Sequence, residues 1–247
     1  MTENVHHFDI VVVGGGMAGL IAGVRGAELG KSVVVLEQGV GDRYPCNARY
    51  SGGIFHIAYN DVKVPEPRLV EAALEITDHA ADPSLINVLA RNGKILVDWM
   101  TQQGVRFIRG PAEWQNWMLA PPRPIKAGME WIGRGPDVAL RRLGERLGQL
   151  DGKLQLGTRA TSLIMKDRRC VGVEAECEGK PVSFHAGAVI LADGGFQANH
   201  ELVAKYICAR PDRLKMRGAP TGIGTALQWG KRSVPVSHGW TSSTATC

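Results

Sequence analysis

Hydrophobic residues open the chain in two unbroken runs, Ile10-Val11-Val12-Val13 and Val33-Val34-Val35-Leu36. Short apolar runs bounded by turn residues predict buried strands, here from Phe8 and from Lys31. Between them lie Gly14-Gly15-Gly16, Met17-Ala18-Gly19 and an Ala/Gly/Leu-rich stretch to Gly30, which predicts a helix. From Gln38 to Asn60 no period survives. That loop is too long for a plain connection, so it predicts a segment wrapped around a ligand. The period turns helical from Pro67 to Val105, with Leu69, Ala72, Ala73 and Ile76 on one stripe. Asp82-Pro83-Ser84-Leu85 reads as a helix start, Asp82 capping and Pro83 in the first turn. Gly110 to Gly135 has no period and reads as a surface excursion that Trp114, Trp117 and Trp131 pack down. Asp137 to Leu150 is a further amphipathic helix.

Beyond it the pattern is that of strands. Leu154-Gln155-Leu156, Thr161 to Met165, Val171 to Glu176 and Pro181 to His185 predict a small antiparallel unit, with turns at Asp167-Arg168 and Glu178-Gly179. Ala188-Val189-Ile190-Leu191 predicts a fully buried parallel strand that rejoins the sheet begun at Phe8. It ends in Ala192-Asp193-Gly194-Gly195-Phe196. Asn199 to Tyr206 is a short helix, and the glycine loop at Thr221-Gly222-Ile223-Gly224 opens another. Lys231 to Cys247 loses all pattern.

The first strand, glycine turn, helix and second strand form a G-x-G-x-x-G unit that closes on Glu37, about 20 residues after the glycines, as the motif requires. Gly14 permits the tight turn. Gly16 lets a pyrophosphate reach the backbone at the helix N-terminus, and Gly19 lets the helix lie close on the sheet. Glu37 is placed to accept from a ribose diol. Gln38 follows it where a 2′-phosphate would want a cation, which argues against NADP. The unit alone predicts a dinucleotide and leaves FAD and NAD open.

Composition adds limits. Glycine is 31 of 247 residues, well above the usual share of about 7%, as loops around an extended ligand would need. The net charge of +5 comes from scattered cations, which predicts no nucleic-acid footprint. Five dispersed cysteines without a C-x-x-C pair predict reduced thiols and a cytoplasmic setting. No apolar run approaches a membrane span.

With these segments together, the chain resembles the fumarate reductase/succinate dehydrogenase flavoprotein family, in particular its soluble tricarballylate dehydrogenase-like members. Asp9 to Glu37, Asn47 to Gly53, Asp82 to Leu85 with Val97-Asp98-Trp99, Ala192 to Phe196 with Asn199, and Thr221 to Gly224 carry the resemblance. It implies FAD as cofactor. Gly14, Gly16, Met17, Ala18 and Gly19 would hold the pyrophosphate, and Glu37 with Gln38 the adenosine ribose. Asn47, Ala48, Ser51, Gly52 and Gly53 would line the pyrophosphate and isoalloxazine. Ala160 would meet adenine, and Ala192, Asp193 and Gly194 would close over the nucleotide. The implied fold is α/β, a Rossmann-like FAD-binding domain over residues 1–230. It comprises the dinucleotide unit (8–37), a helical insertion (67–150), the small β unit (154–186) and the return strand (187–196).

The implied activity is hydride exchange between flavin and a carboxylate-bearing substrate such as a di- or tricarboxylate, with an electron-transfer partner protein. The alternatives are an inactive FAD-binding fragment and a 3-ketosteroid dehydrogenase-like flavoenzyme. No catalytic residue is assigned. Arg49, Arg134, Arg210, Arg213 and Arg217 read as surface or phosphate-facing, and His56 as a packed loop residue. The family often has Thr where Asp193 stands, and Asp where Ile223 stands. Cys46 lies near the histidine of covalently flavinylated members, and reads as a loop thiol beside a non-covalent flavin. Most of the capping domain is missing from these residues, and 231–247 reads as a frameshifted or prematurely ended frame.

Overall fold

A computed structural model describes residues 4–122 and 134–233. In chain order the elements are β1 (Val5–Val13), α1 (Met17–Glu28), β2 (Val33–Leu36), α2 (Asn47–Tyr50), β3 (His56–Ile57), β4 (Asn60–Asp61), α3 (Glu66–Ile76) and α4 (Pro83–Gln102). Then follow β5 (Phe107–Ile108), β6 (Met118–Leu119), α5 (Gly135–Gln149), β7 (Lys153–Gln155), β8 (Thr158–Lys166), β9 (Arg169–Cys177), β10 (Lys180–Leu191), α6 (His200–Tyr206) and α7 (Thr225–Ser233). The chain divides into two compact units, Met1–Tyr50 with Leu143–Cys247, and Ser51–Arg142.

The first unit is built on a six-stranded sheet of order β7-β2-β1-β10-β9-β8. Its β1 pairs in parallel with both β2 and β10, and β2 pairs in parallel with β7. The far half, β10-β9-β8, is antiparallel. Glycines set the distance between α1 and the sheet. A Cβ on Gly23 would lie 2.7 Å from Val35 Cγ2, and one on Gly26 would lie 3.1 Å from Ile10 Cδ1. The opposite face buries Val11, Val13, Val34 and Leu36 with Val173, Val182, Phe184 and Trp229 of α7.

The second unit packs α3 and α4 with the β3–β4 hairpin around Ile57, Val62, Leu69, Ala73, Ile86, Ala90 and Val97. Asp82 caps α4 as the sequence predicts, accepting from Ser84 N–H at 2.8 Å. Asp61 accepts from Asn116 Nδ2 (2.7 Å), Trp117 Nε1 (2.8 Å) and Lys63 N–H (2.9 Å). Burial works against its charge, but those donors outweigh it and hold the carboxyl below the ordinary aspartate range. Trp117 meets Phe107 edge-on at 5.6 Å, and Trp114 lies edge-on to His56 and Tyr59. Both tryptophans therefore pack the excursion down; Trp131 and residues 123–133 lie outside the described residues.

Several expectations need correction. Pro181–His185 and Ala188–Leu191 are one strand, β10, so the antiparallel unit is the far half of a single sheet. The strand at Leu154 is β7, which joins the parallel half. Ala188–Leu191 is central and parallel but not fully buried, because Ala188 and Leu191 are exposed. Residues 38–60, read as aperiodic, hold α2 and the β3–β4 hairpin. Both are too short to show a period. Cys46, Cys170 and Cys177 are free thiols. The tail beyond residue 233 lies outside the described residues.

Candidate nucleotide-binding site

A cavity of about 490 Å³ opens at the C-terminal ends of the parallel strands, where Val13, Leu36 and Ala192 line it. Open α/β sheets bind ligands at this end. One wall is the glycine turn. Gly14 has φ +102°, and a Cβ there would lie 2.5 Å from Ala192 O. Gly19 is closer still to its neighbours, since its Cβ would fall 1.8 Å from Gly14 O. Gly16 differs: nothing lies within 4 Å of its Cβ position, and it lines the cavity with Met17 and Ala18. Gly16 is also the N-cap of α1, with no side-chain cap and no acidic residue in the first turn. First-turn N–H groups of a helix have no intrahelical acceptor, so this end offers donors and a positive dipole end to an anion.

Glu37 lies at the adjoining corner and is 5% exposed. Its Oε2 accepts from Gly15 N–H and its Oε1 from Gly39 N–H, each at 2.8 Å. Burial pushes its carboxyl above the ordinary glutamate range. The two N–H donors and the nearby Arg49 charge oppose that push. Glu37 thus fixes the glycine turn and the loop after β2, and the lone pairs left on its oxygens remain for a diol.

The loop after β2 is held by Tyr44, which the sequence did not single out, and by Arg49. Tyr44 is 2% exposed and donates its hydroxyl to Gly15 O at 2.6 Å. Arg49, 1% exposed, stacks over the Tyr44 ring at 4.2 Å. It donates to Tyr44 O (2.7 Å) and Asp42 O (2.8 Å). It is therefore neither surface nor phosphate-facing. Burying its guanidinium among backbone carbonyls holds the loop so that Cys46, Asn47 and Ala48 line the cavity. Burial pushes the Cys46 thiol up. A protonated thiol is a poor nucleophile.

The remaining walls come from Thr158 to Thr161 of β8, the turn after β10, and the stretch from Thr221 into α7. Gly14, Gly16, Met17, Ala18, Glu37, Gln38, Asn47, Ala48, Ala160, Ala192, Asp193 and Gly194 all line the cavity. Gly19 does not; it lies beneath the turn and sets its depth. Ser51, Gly52 and Gly53 belong to the second unit, where Gly53 donates to Ser51 Oγ at 3.2 Å. His56 there accepts from Tyr59 N–H and stacks on its ring at 5.1 Å, a packed loop residue. The sequence reading missed Thr225, Gln228 and Trp229, which α7 brings to the cavity. The glycine loop opening that helix was the available signal.

The glycine cradle, the uncapped helix end and the carboxylate at the ribose corner fit an extended dinucleotide. Residues 9–233 match the FAD binding domain family. The chain belongs to that family, and within it to the fumarate reductase/succinate dehydrogenase flavoproteins. Its cofactor is FAD. The chain is 31% identical to the urocanate reductase of Eggerthella lenta over 212 residues, 80% of this chain and 33% of that protein. It is 30% identical to the fumarate reductase (cytochrome) of Shewanella frigidimarina over 211 residues, 80% of this chain and 35% of that protein. In fold it resembles the 3-ketosteroid-Δ4-(5α)-dehydrogenase of Rhodococcus jostii, with a TM-score of 0.77 at 20% identity, covering 94% of this chain and 55% of that one. The chain thus spans about a third of the length of the curated relatives just named. Among the described residues no cluster could hold a metal ion, and no helix is long and apolar enough to cross a membrane.

Proposed function

We propose that this chain is the FAD-binding part of an oxidoreductase that exchanges hydride with an unsaturated or saturated carboxylate. The observation that carries the reading is Gly16, open to the cavity at an uncapped helix N-terminus, with Glu37 beside it. Bound FAD supplies the redox chemistry, taking or giving hydride at its reactive nitrogen. The chain's own residues bind and orient it. Gly14, Gly16, Met17 and Ala18 meet the pyrophosphate, Glu37 and Gln38 the ribose, and Ala160 the adenine. Asn47 and Ala48 serve the pyrophosphate and flavin ring. The relatives' names support the substrate class, since urocanate, fumarate and acrylate are all unsaturated carboxylates. Tricarballylate, a saturated tricarboxylate, would enter the same exchange from the dehydrogenation side. A steroid substrate is less well supported, because that likeness is one of fold. An electron-transfer partner and a cytoplasmic location complete the proposal.

The test is direct. The purified chain, incubated with FAD and desalted, is expected to keep flavin absorbance near 450 nm. Gly16→Ala is expected to bind about tenfold less FAD at equal thermal stability, because its Cβ intrudes on the ligand alone. Reduced flavin in the protein is then offered fumarate, urocanate and acrylate, and reoxidation is followed at the same wavelength. A colourless protein that cannot be reconstituted overturns the flavoprotein reading. Reoxidation by a ketosteroid and by none of the acids overturns the substrate class.

A further inference from the structure

We infer that Asp193 is a positioning residue for flavin binding, a carboxylate strut that caps α7 from the opposite strand end and so holds the cavity wall which α7 carries. The inference rests on FAD occupying the cavity described above.

Helix α7 cannot cap itself. Its N-cap is Gly224, whose carbonyl accepts from Gln228 N–H at 3.1 Å. Gly224 has φ +75°, and a Cβ there would lie 2.7 Å from Phe196 Cβ and 2.8 Å from Leu202 Cδ1. No side chain fits where a Ser, Asp or Asn cap would stand. The residue before it is Ile223, exposed and without a polar group. Asp193 fills the role instead. Its Oδ2 accepts from Ala226 N–H at 2.9 Å. Ala226 is the second residue of the helix, the donor that an N-cap side chain commonly takes.

Asp193 is itself held at the glycine turn. Ala192 N–H donates to Val13 O at 2.8 Å, and a Cβ on Gly14 would lie 2.9 Å from Asp193 Cα. The carboxylate therefore links the phosphate end of the cavity to the helix that brings Thr225, Gln228 and Trp229 to it. The loop between is tied in the same manner. Asn47 Oδ1 accepts from Ala219 N–H at 2.8 Å, and Asn199 Nδ2 donates to Ile223 O at 3.1 Å. Among these ties Asp193 is the one that reaches the N-terminus of α7.

The experiment compares wild type, Asp193→Ala, Asp193→Asn and Asp193→Ala/Ile223→Asp. FAD dissociation constants are read by flavin fluorescence, and apo-protein melting by circular dichroism. D193A is expected to weaken FAD about fivefold and to lower apo melting by about 2–4 °C, the scale of one lost cap. D193N is expected to restore both, since an amide oxygen caps as well as a carboxylate. The double variant, with an acid returned beside the same helix end, is expected to recover part of the melting loss. The inference is overturned if D193A matches wild type, or if D193N fails along with D193A. It is equally overturned if D193A lowers melting but leaves FAD affinity intact, which would make the cap merely structural. If wild type itself binds no FAD, the flavoprotein reading fails instead, and the melting series still reads the cap.

Discussion

The two units achieve order with a different balance of means. In the first unit the decisive positions have no side chain. Gly14, Gly19, Gly23 and Gly26 let backbone and helix approach to distances that a Cβ would forbid. The second unit has such a contact too, at Gly135, whose Cβ would fall 1.9 Å from Leu119 O, but its interior adds large side chains. Trp117, Phe107 and Phe55 meet edge to face, and Asp61 gathers three donors. Close backbone approach leaves room for a ligand at the strand ends; an aromatic and polar cluster fills its own space. The first unit is a cradle, and the second a packed body with its own apolar core.

The sharpest way to break this contrast is Gly19→Ala. Its Cβ would fall 1.8 Å from Gly14 O, so α1 must shift by more than an ångström and the turn with it. The expected cost is about 3 kcal/mol or more, the upper scale of overpacking, with loss of FAD retention after desalting. Thermal melting and flavin absorbance check both. Wild-type-like melting and retained flavin would show that the turn is not set by this contact.

Next in size is Trp117→Ala in the second unit. It removes an aromatic partner and the indole donor to Asp61 together, with an expected loss of about 3 kcal/mol. Part of that loss should fade as pH falls. Asp61 has a lowered pKa, so its stabilisation is present above the ordinary aspartate value and disappears as pH drops through the lowered one. Melting of wild type and variant in acid measures it: the gap between them should narrow where Asp61 protonates in wild type. A gap independent of pH would remove Asp61 from the account.

Arg49→Met tests the cradle from behind. It leaves Tyr44 O buried without its donor and removes the part-buried bond to Asp42 O, at about 2 kcal/mol, and frees the loop that carries Cys46, Asn47 and Ala48. Arg49→Lys should recover part of the stability but not the planar stack on Tyr44. If both variants bind FAD like wild type, the clasp does not position the loop.

How much of this was legible in the sequence follows the same division. The glycine unit was readable because its constraints are local: Gly16 must be open and Gly19 must touch Gly14, and both lie within one turn. The cap at Asp82 was readable for the same reason. The continuity of β10 was not, since Ala186-Gly187 reads as a break. What bridges it is pairing with β1, contributed by residues far upstream. Nor was Arg49, whose partners are backbone carbonyls that no residue pattern announces. Asp193 and Ile223 read as two separate departures from a family pattern. Only the bond from Ala226 N–H shows that the acid at 193 serves the helix after 223.

The smallest expected effect is the most diagnostic of Glu37. Burial raises its pKa, so it takes up a proton at a pH where an exposed glutamate is still charged. Two consequences of opposite sign follow between the ordinary glutamate value and the raised one. The folded apo-protein binds more protons there than the unfolded chain, so acidification through this window adds stability from this group. FAD affinity moves the other way, because a protonated carboxyl accepts less well from a ribose hydroxyl while it still faces Gly15 and Gly39. A few-fold weakening of FAD is expected as pH falls through the window, while apo melting holds or rises. Glu37→Gln should flatten both profiles. Titrating FAD by fluorescence across that range, beside apo melts, decides it. Affinity and stability that fall together in wild type would place the pH dependence elsewhere in the chain and leave Glu37 as a brace for the glycine turn alone.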